Sequence, residues 1–239
     1  MSTHMQDQNQ GLSDFSIVRH YLKEHQAALQ SGSDKIYPNL ALVRVEKNYF
    51  LNKSGRLLDY GCGFGANLIH LAECGYSIDG IDTSKYALEK IASKLKQHPE
   101  IESRVALHLL AEEAIRLPFI DEMFDYIVCA SVLSLLSSPT RIRRLMAEFQ
   151  RILRVSGRIY LDVNGPNSRF AIAGKALGRN IYELSNHQDA REVRRVYCPT
   201  SKEFGDLVSA YFTIDTVGFS SHQIFSHQEE EFIICARKN

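Results

Sequence analysis

The 239-residue sequence has no tryptophan, only six prolines and five scattered cysteines, and its 28 basic side chains are matched by 28 acidic ones. Each shortage removes a class of protein. Cys62, Cys74, Cys129, Cys198 and Cys235 are odd in number and form no C-x-x-C pair, so they imply neither a disulfide framework nor a zinc ribbon. Reduced thiols in a cytoplasmic protein are the expectation. Zero net charge supplies no long-range field for nucleic acid or an anionic membrane, and a nucleic-acid partner is disfavoured. The longest apolar run, residues 126–136, contains Ser131 and Ser134 and falls well short of the roughly 20 apolar residues of a membrane-spanning helix. Residues 1–14 are polar and lack a charged stretch followed by an apolar one, so no secretory signal is expected.

What is present is 44% hydrophobic and 23% charged, the make-up of a globular protein able to bury one α/β core with insertions. Phe15, Val18, Leu22 and Leu29 recur at helical spacing before Ser31-Gly32-Ser33, and a second helix is predicted over residues 40–51. From residue 56, strands (56–60, 76–82, 105–110, 125–130, 158–163) alternate with helices (66–74, 85–96, 140–153). Such alternation requires crossover connections, which build a parallel sheet covered on both faces. After residue 163 the rhythm fails at Asn164-Gly165-Pro166-Asn167, and some 35 residues with a moderate helical signal follow. A helix (201–210) and two strands (212–219, 231–236) close the chain, the strands joined by a polar segment as a hairpin. The expected fold is therefore a doubly wound, mostly parallel seven-stranded sheet whose last strand is antiparallel. Residues 1–54 form a tail and cap helices, and 55–239 form the core, with 165–200 as a substrate-side insertion.

The chemistry begins where the apolar strand Leu57-Leu58-Asp59-Tyr60 runs into Gly61-Cys62-Gly63-Phe64-Gly65 and then a helix. Glycines there permit a tight turn and let a ligand approach the main chain, while the following helix N-terminus favours negative charge. Gly61-x-Gly63-x-x-Ala66 also fits the dinucleotide fingerprint, and Asp82 at the end of the next strand suits a ribose in either setting. These residues alone leave a nicotinamide cofactor and an adenosyl ligand both open.

Four segments together discriminate. Leu57 to Gly65, Ile78-Asp79-Gly80-Ile81-Asp82-Thr83-Ser84, Leu117-Pro118-Phe119-x-Asp121-x-x-Phe124-Asp125, and Phe149-Gln150-Arg151-Ile152-Leu153-Arg154-x-x-Gly157 resemble, in order, the motifs of class I, Rossmann-like S-adenosylmethionine (SAM)-dependent methyltransferases. The resemblance covers residues 56–163. It implies SAM as cofactor, with Gly61, Cys62 and Gly63 against its methionine part and Asp59 near the amino group. It further implies Asp82 on the ribose, Ile81 and Thr83 flanking the adenine, and Ala111-Glu112 at the adenine amino group. Ala130 and Ser131 would face the transferred methyl. Ile36-Tyr37-Pro38-Asn39-x-x-Leu42-Val43-Arg44 is similar to a leader of small-molecule members, which would bring Tyr37 and Arg44 to the methionine carboxylate.

The motifs specify neither the acceptor nor the atom methylated nor an oligomeric state. Asp162, near the end of the fifth strand, and His187 and His222, in or near less regular segments, are candidates for a general base. His70 and Cys74 supply two ligands, which do not make a metal site, and no metal is expected. Arg169, Lys175, Arg179, Arg191, Arg194 and Arg195 in the insertion suit an anionic acceptor as well as a solvated face. The missing Asn/Asp-Pro-Pro-aromatic motif after the fourth strand disfavours base-amino methylation. The expectation is transfer of a methyl group to an O or N nucleophile of a sugar, lipid headgroup or other small metabolite. The alternatives are an NAD(P)-dependent oxidoreductase and a non-catalytic SAM-binding module.

Overall fold

The structure, a computed structural model, describes Lys23, Gln26 and residues 37–239 apart from 112, 113, 115, 186–192 and 225–226. The helix expected before residue 31 thus falls largely outside the described residues. The first helix described in full, α1 (Leu40–Tyr49), begins at Asn39, whose side chain accepts from the amides of Ala41 and Leu42.

Strands β1 (Arg56–Tyr60), β2 (Ser77–Asp82), β3 (Val105–Leu109), β4 (Phe124–Cys129) and β5 (Leu153–Asn164) alternate with helices α2 (Ala66–Glu73), α3 (Lys85–Leu95), α4 (Pro99–Glu102) and α5 (Pro139–Ile152). Ser84 caps α3 and Ser138 caps α5, where Pro139 occupies the first turn at no hydrogen-bonding cost. The sheet order is β3-β2-β1-β4-β5-β10-β9, where β9 (Thr213–Ile224) and β10 (His227–Arg237) form the closing hairpin. β1 runs parallel to both β2 and β4, while β10 is antiparallel to β5 and to β9. The seven-stranded sheet with an antiparallel last strand is as the sequence implied.

Both faces of the sheet are covered, which explains why β1 reads as a nearly continuous apolar run. One face, through Leu58, Ile127 and Ile159, packs on α5 (Ile142, Met146, Phe149) and on α7 (Ser201–Ser209). The other, through Leu57, Val128 and Tyr160, packs on α1, α2 and α3. The hairpin runs further than its apolar stretch, because main-chain pairing continues as far as His227 opposite Ile224.

The segment after β5 departs from its helical signal. Its described residues form one short helix, α6 (Arg169–Ala173), and a three-stranded antiparallel sheet, β6 (Lys175–Gly178), β7 (Ile181–Ser185) and β8 (Val193–Tyr197). Arg179 and Asn180, at φ +53° and +62°, make the tight turn between β6 and β7. Two successive left-handed residues match the right-handed twist of a hairpin. A small buried cluster, Ala171, Val196 and Cys198, joins α6 to this sheet. Among its ties to the main sheet is Glu230 of β10, which accepts from the Asn167 amide and side chain, both at 2.9 Å. Among the described residues no helix is long and apolar enough to cross a membrane.

Candidate active site

β1 is the strand from which the chain turns one way to β2 and β3 and the other way to β4 and β5. The crossovers therefore diverge beyond its C-terminal end, leaving a crevice there. The glycine loop fills the floor of that crevice. Gly61 has φ +72°, and a Cβ at that position would lie 2.4 Å from Val132 Cγ2. Gly63, at φ +50°, has nothing within 4 Å of the place a Cβ would take. The first glycine is thus demanded by packing, and the second lines open space.

The loop is tied to the end of β2. Ile81 O accepts from the amides of Gly61 (2.8 Å) and Cys62 (3.2 Å). Asp82, 8% exposed, accepts from Gly63 N through Oδ2 and from Ser84 N through Oδ1, both at 2.8 Å. A carboxylate offers about four acceptor positions, so two are left over for hydroxyl donors. The Ile81 side chain is fully buried in the core and reaches the crevice through its backbone alone, while Thr83 is half-buried.

Below the loop lies Asp59, 1% exposed, whose Oδ2 has no hydrogen-bond partner among the described residues. Burial, and then the charge of Asp82, push its pKa up to about 7. An acceptor oxygen buried without a donor costs free energy that a bound ammonium or water offsets. The same burial, with Asp59 and Asp82 nearby, raises the Cys62 thiol well above its usual value, so it stays neutral. The open face of Gly63, the unmatched oxygen of Asp59 and the spare acceptor positions of Asp82 fit an adenosyl ligand that carries an ammonium group.

Across the crevice, β4 ends at Cys129, Ala130 is buried and Ser131 is exposed in a left-handed conformation, φ +60°. Its amide donates to Asp162 Oδ1. Asp162 is 1% exposed, and its Oδ2 accepts from the Tyr160 hydroxyl at 3.1 Å and from Asn39 Nδ2 at 3.3 Å. The Asn39 amide in turn donates to Asn67 Oδ1 at 2.8 Å, in the first turn of α2. Neither Asn39 nor Asn67 stands among the residues singled out from sequence. A Pro-Asn pair ahead of an apolar helix is an N-cap signal, but a cap does not announce a long-range partner.

The other sequence candidates are spread more widely. Tyr37 is 75% exposed, two residues before the cap. Arg44 is exposed on α1, whose buried face is Leu42, Val45 and Glu46. Ala111 is exposed beyond β3, and Glu112 and His187 lie outside the described residues. His222 is exposed on the edge strand β9, with β5 and β10 between it and β4. Among the described residues no group of three or more His, Cys, Asp and Glu side chains is placed to hold a metal. In the insertion, Arg195 pairs with Glu183 at 3.2 Å and Arg169 with Glu229 at 3.0 Å.

Comparison with known proteins accords with this geometry. Residues 58–161 match the family model described as a methyltransferase domain. A phosphatidylethanolamine N-methyltransferase of Cereibacter sphaeroides is 28% identical over 139 residues, 57% of this chain and 65% of that protein. The chain spans about 20% to 65% of the lengths of the curated relatives it matches. A SAM-dependent methyltransferase of Methanosarcina mazei superposes with a TM-score of 0.69 at 21% identity, over 84% of this chain and 98% of that one. A 1,6-didemethyltoxoflavin N1-methyltransferase of Burkholderia thailandensis, with S-adenosylhomocysteine bound, gives 0.67 at 16% identity over 94% and 88%. The matched segment runs from β1 to β5, and so contains the glycine loop, Asp82 and the β4 terminus. Residues 58–161 of this chain are thus similar to methyltransferase domains, and its fold is similar to that of solved SAM-dependent methyltransferases.

Proposed function

We propose that the chain transfers the methyl group of SAM to an O or N nucleophile of a small molecule. The observation that carries this is the pairing of an unmatched buried oxygen on Asp59 with spare acceptor positions on Asp82, either side of a glycine with open space above it. In this reading Asp82 takes the ribose hydroxyls, and Asp59 takes the amino group directly or through water. Gly61, Cys62 and Gly63 lie along the methionine part. Thr83 and the Ile81 backbone border the adenine together with Ala111 and Glu112. Tyr37 and Arg44 of the leader serve the carboxylate, and Ala130 and Ser131 border the methyl group.

SAM, when bound, supplies an electrophilic methyl carbon with a neutral thioether as leaving group. The chain's share is alignment and exclusion of water, so it needs no nucleophilic side chain of its own. Residues 165–200 lie on the acceptor side in this reading, because their sheet adjoins the 3-10 turn (Leu133–Leu135) that follows β4. The relative named for phosphatidylethanolamine and the neighbour named for toxoflavin both support a small acceptor. An anionic acceptor is the class for which Lys175, Arg194 and Arg195 are suited, and balanced overall charge argues against nucleic acid. Four buried thiols and one half-buried one, all unpaired, suit a reducing cytoplasm.

Thermal unfolding with SAM, S-adenosylhomocysteine, NAD and NADP in parallel tests the reading. A ligand at about 100 times its Kd stabilises the native state by about 2.7 kcal/mol. Stabilisation by the two adenosyl-sulfur ligands alone is expected. Stabilisation by a nicotinamide cofactor alone would replace methyl transfer by hydride transfer. Binding of the adenosyl ligands with no turnover across an acceptor screen would leave a non-catalytic SAM-binding module.

A further inference from the structure

Three segments far apart in sequence meet at one buried carboxylate. Asp162 receives the Ser131 amide on Oδ1, and the Tyr160 hydroxyl and Asn39 side chain on Oδ2. Ser131 ends the β4 turn in a left-handed conformation that a non-glycine residue holds only when its surroundings fix it. Asn39 carries the connection onward, because its amide donates to Asn67 in the first turn after the glycine loop while its Oδ1 caps α1. The leader, the glycine-loop helix and the β4 terminus are thereby linked by a short run of hydrogen bonds through the Asp162 and Asn67 side chains.

We infer that Asp162 is a positioning residue of the methyl-transfer site, acting through Ser131 and Asn39 rather than as a general base. The inference rests on the reading of the crevice given above. Buried against three donors among the described residues, the carboxylate is committed as an acceptor, and taking a proton from an acceptor nucleophile would require it to give up one of them. Its consequence for catalysis is geometric. Small displacements of groups that border a reacting centre cost disproportionately, and both Ser131 and the leader are tied to this carboxylate.

The chemistry of the link permits an exchange test. In Asp162→Asn the amide nitrogen would face the Asn39 amide nitrogen, donor against donor. In Asn39→Asp/Asp162→Asn the donor and acceptor change places across the same 3.3 Å gap. Aspartate caps a helix as well as asparagine does, so α1 keeps its cap. S-adenosylhomocysteine affinity is measured by calorimetry, and amide exchange of residues 39–49 is measured on the ligand-free chain.

The wild type is expected to bind S-adenosylhomocysteine. Asp162→Asn is expected to lose at least about tenfold in affinity, as for loss of hydrogen bonds to a charged group, and to lose protection at the start of α1. The exchange variant is expected to regain most of both. Full affinity and unaltered protection in Asp162→Asn, or no recovery in the exchange variant, would overturn the positioning role. A wild type that fails to bind S-adenosylhomocysteine would instead overturn the methyl-transfer reading on which that role depends.

Discussion

The backbone N–H of Gly63 donates to Asp82 Oδ2 at 2.8 Å, so the carboxylate at the end of β2 also shapes the glycine loop at the end of β1. Substituting Asp82 therefore has two separable effects. Asp82→Ala leaves the amides of Gly63 and Ser84 without an acceptor, costing about 1–3 kcal/mol of stability if water does not replace it. In the proposed site it also removes both ribose acceptors, and S-adenosylhomocysteine affinity should fall about 100-fold or more. Asp82→Asn retains one acceptor oxygen and should fall between. Calorimetry alongside a denaturation curve separates the two losses; an Asp82→Ala chain that binds normally would remove this residue from the cofactor site.

In the proposed site Asp59 makes ligand binding depend on pH. With burial and Asp82 holding its pKa near 7, the carboxyl is largely protonated at pH 6 and largely ionised at pH 8. An ammonium-bearing ligand favours the ionised form, so affinity should rise with pH, by about tenfold between 6 and 8. Stability of the ligand-free chain runs the opposite way. Asp59's folded pKa lies above its ordinary 3.8, so the folded state holds a proton that the unfolded chain has released. Its contribution is greatest below 3.8 and declines as pH rises to about 7. Asp59→Asn should flatten both profiles, measured by calorimetry and by thermal unfolding from pH 5 to 8.

The three loop glycines are not equivalent. Gly61→Ala pays for a left-handed alanine and for contact with Val132, and should lose about 2–4 kcal/mol. Val132→Ala in the same chain should recover part of it by making room. Gly63→Ala meets no protein atom, so its stability cost should be only about 1–2 kcal/mol, from backbone conformation. Its methyl group points into the crevice, and ligand affinity should suffer more than stability does. Urea denaturation and S-adenosylhomocysteine titration of both variants distinguish packing from ligand contact.

The sheet was legible because its signals are local: apolar runs in β1 and β4 and glycines after β1. The inserted sheet was not, because its β6–β7 turn uses Arg179-Asn180 where Asn-Gly or Asp-Gly would have announced a hairpin. The site divides the same way. Asp59, Gly61, Gly63 and Asp82 lie within the one unit β1-loop-α2-β2, where spacing brings forward the glycines and Asp82 and the family resemblance brings forward Asp59. Asn39 and Asn67 act through long-range hydrogen bonds, with partners 123 and 28 residues away, which no periodicity encodes. For Asp162 the sequence supplied the residue, but its three donors are visible only in the fold.

Arg151 offers a contrast in which the fold responds while the cofactor does not. At the C-terminal end of α5, its guanidinium donates to Glu148, Asp121 and the carbonyls of Leu117 and Phe119, at 2.7–3.2 Å. It thereby fixes the Leu117-Pro118-Phe119 segment leading into β4, at the end of that strand opposite the crevice. Arg151 is 17% exposed, so the pairing is screened only in part, and Arg151→Leu should lose about 2–3 kcal/mol. Glu148 is held below its ordinary 4.5 by Arg151, so its share of stability is present above that pH and lost as pH falls through the lowered value. The variant should show a smaller acid-side decline, since the Leu117 amide still donates to Glu148. Because no crevice group among the described residues touches Arg151, S-adenosylhomocysteine affinity at pH 8 should match the wild type; a fall of more than a few-fold would show that the segment before β4 shapes the cofactor site as well as the fold.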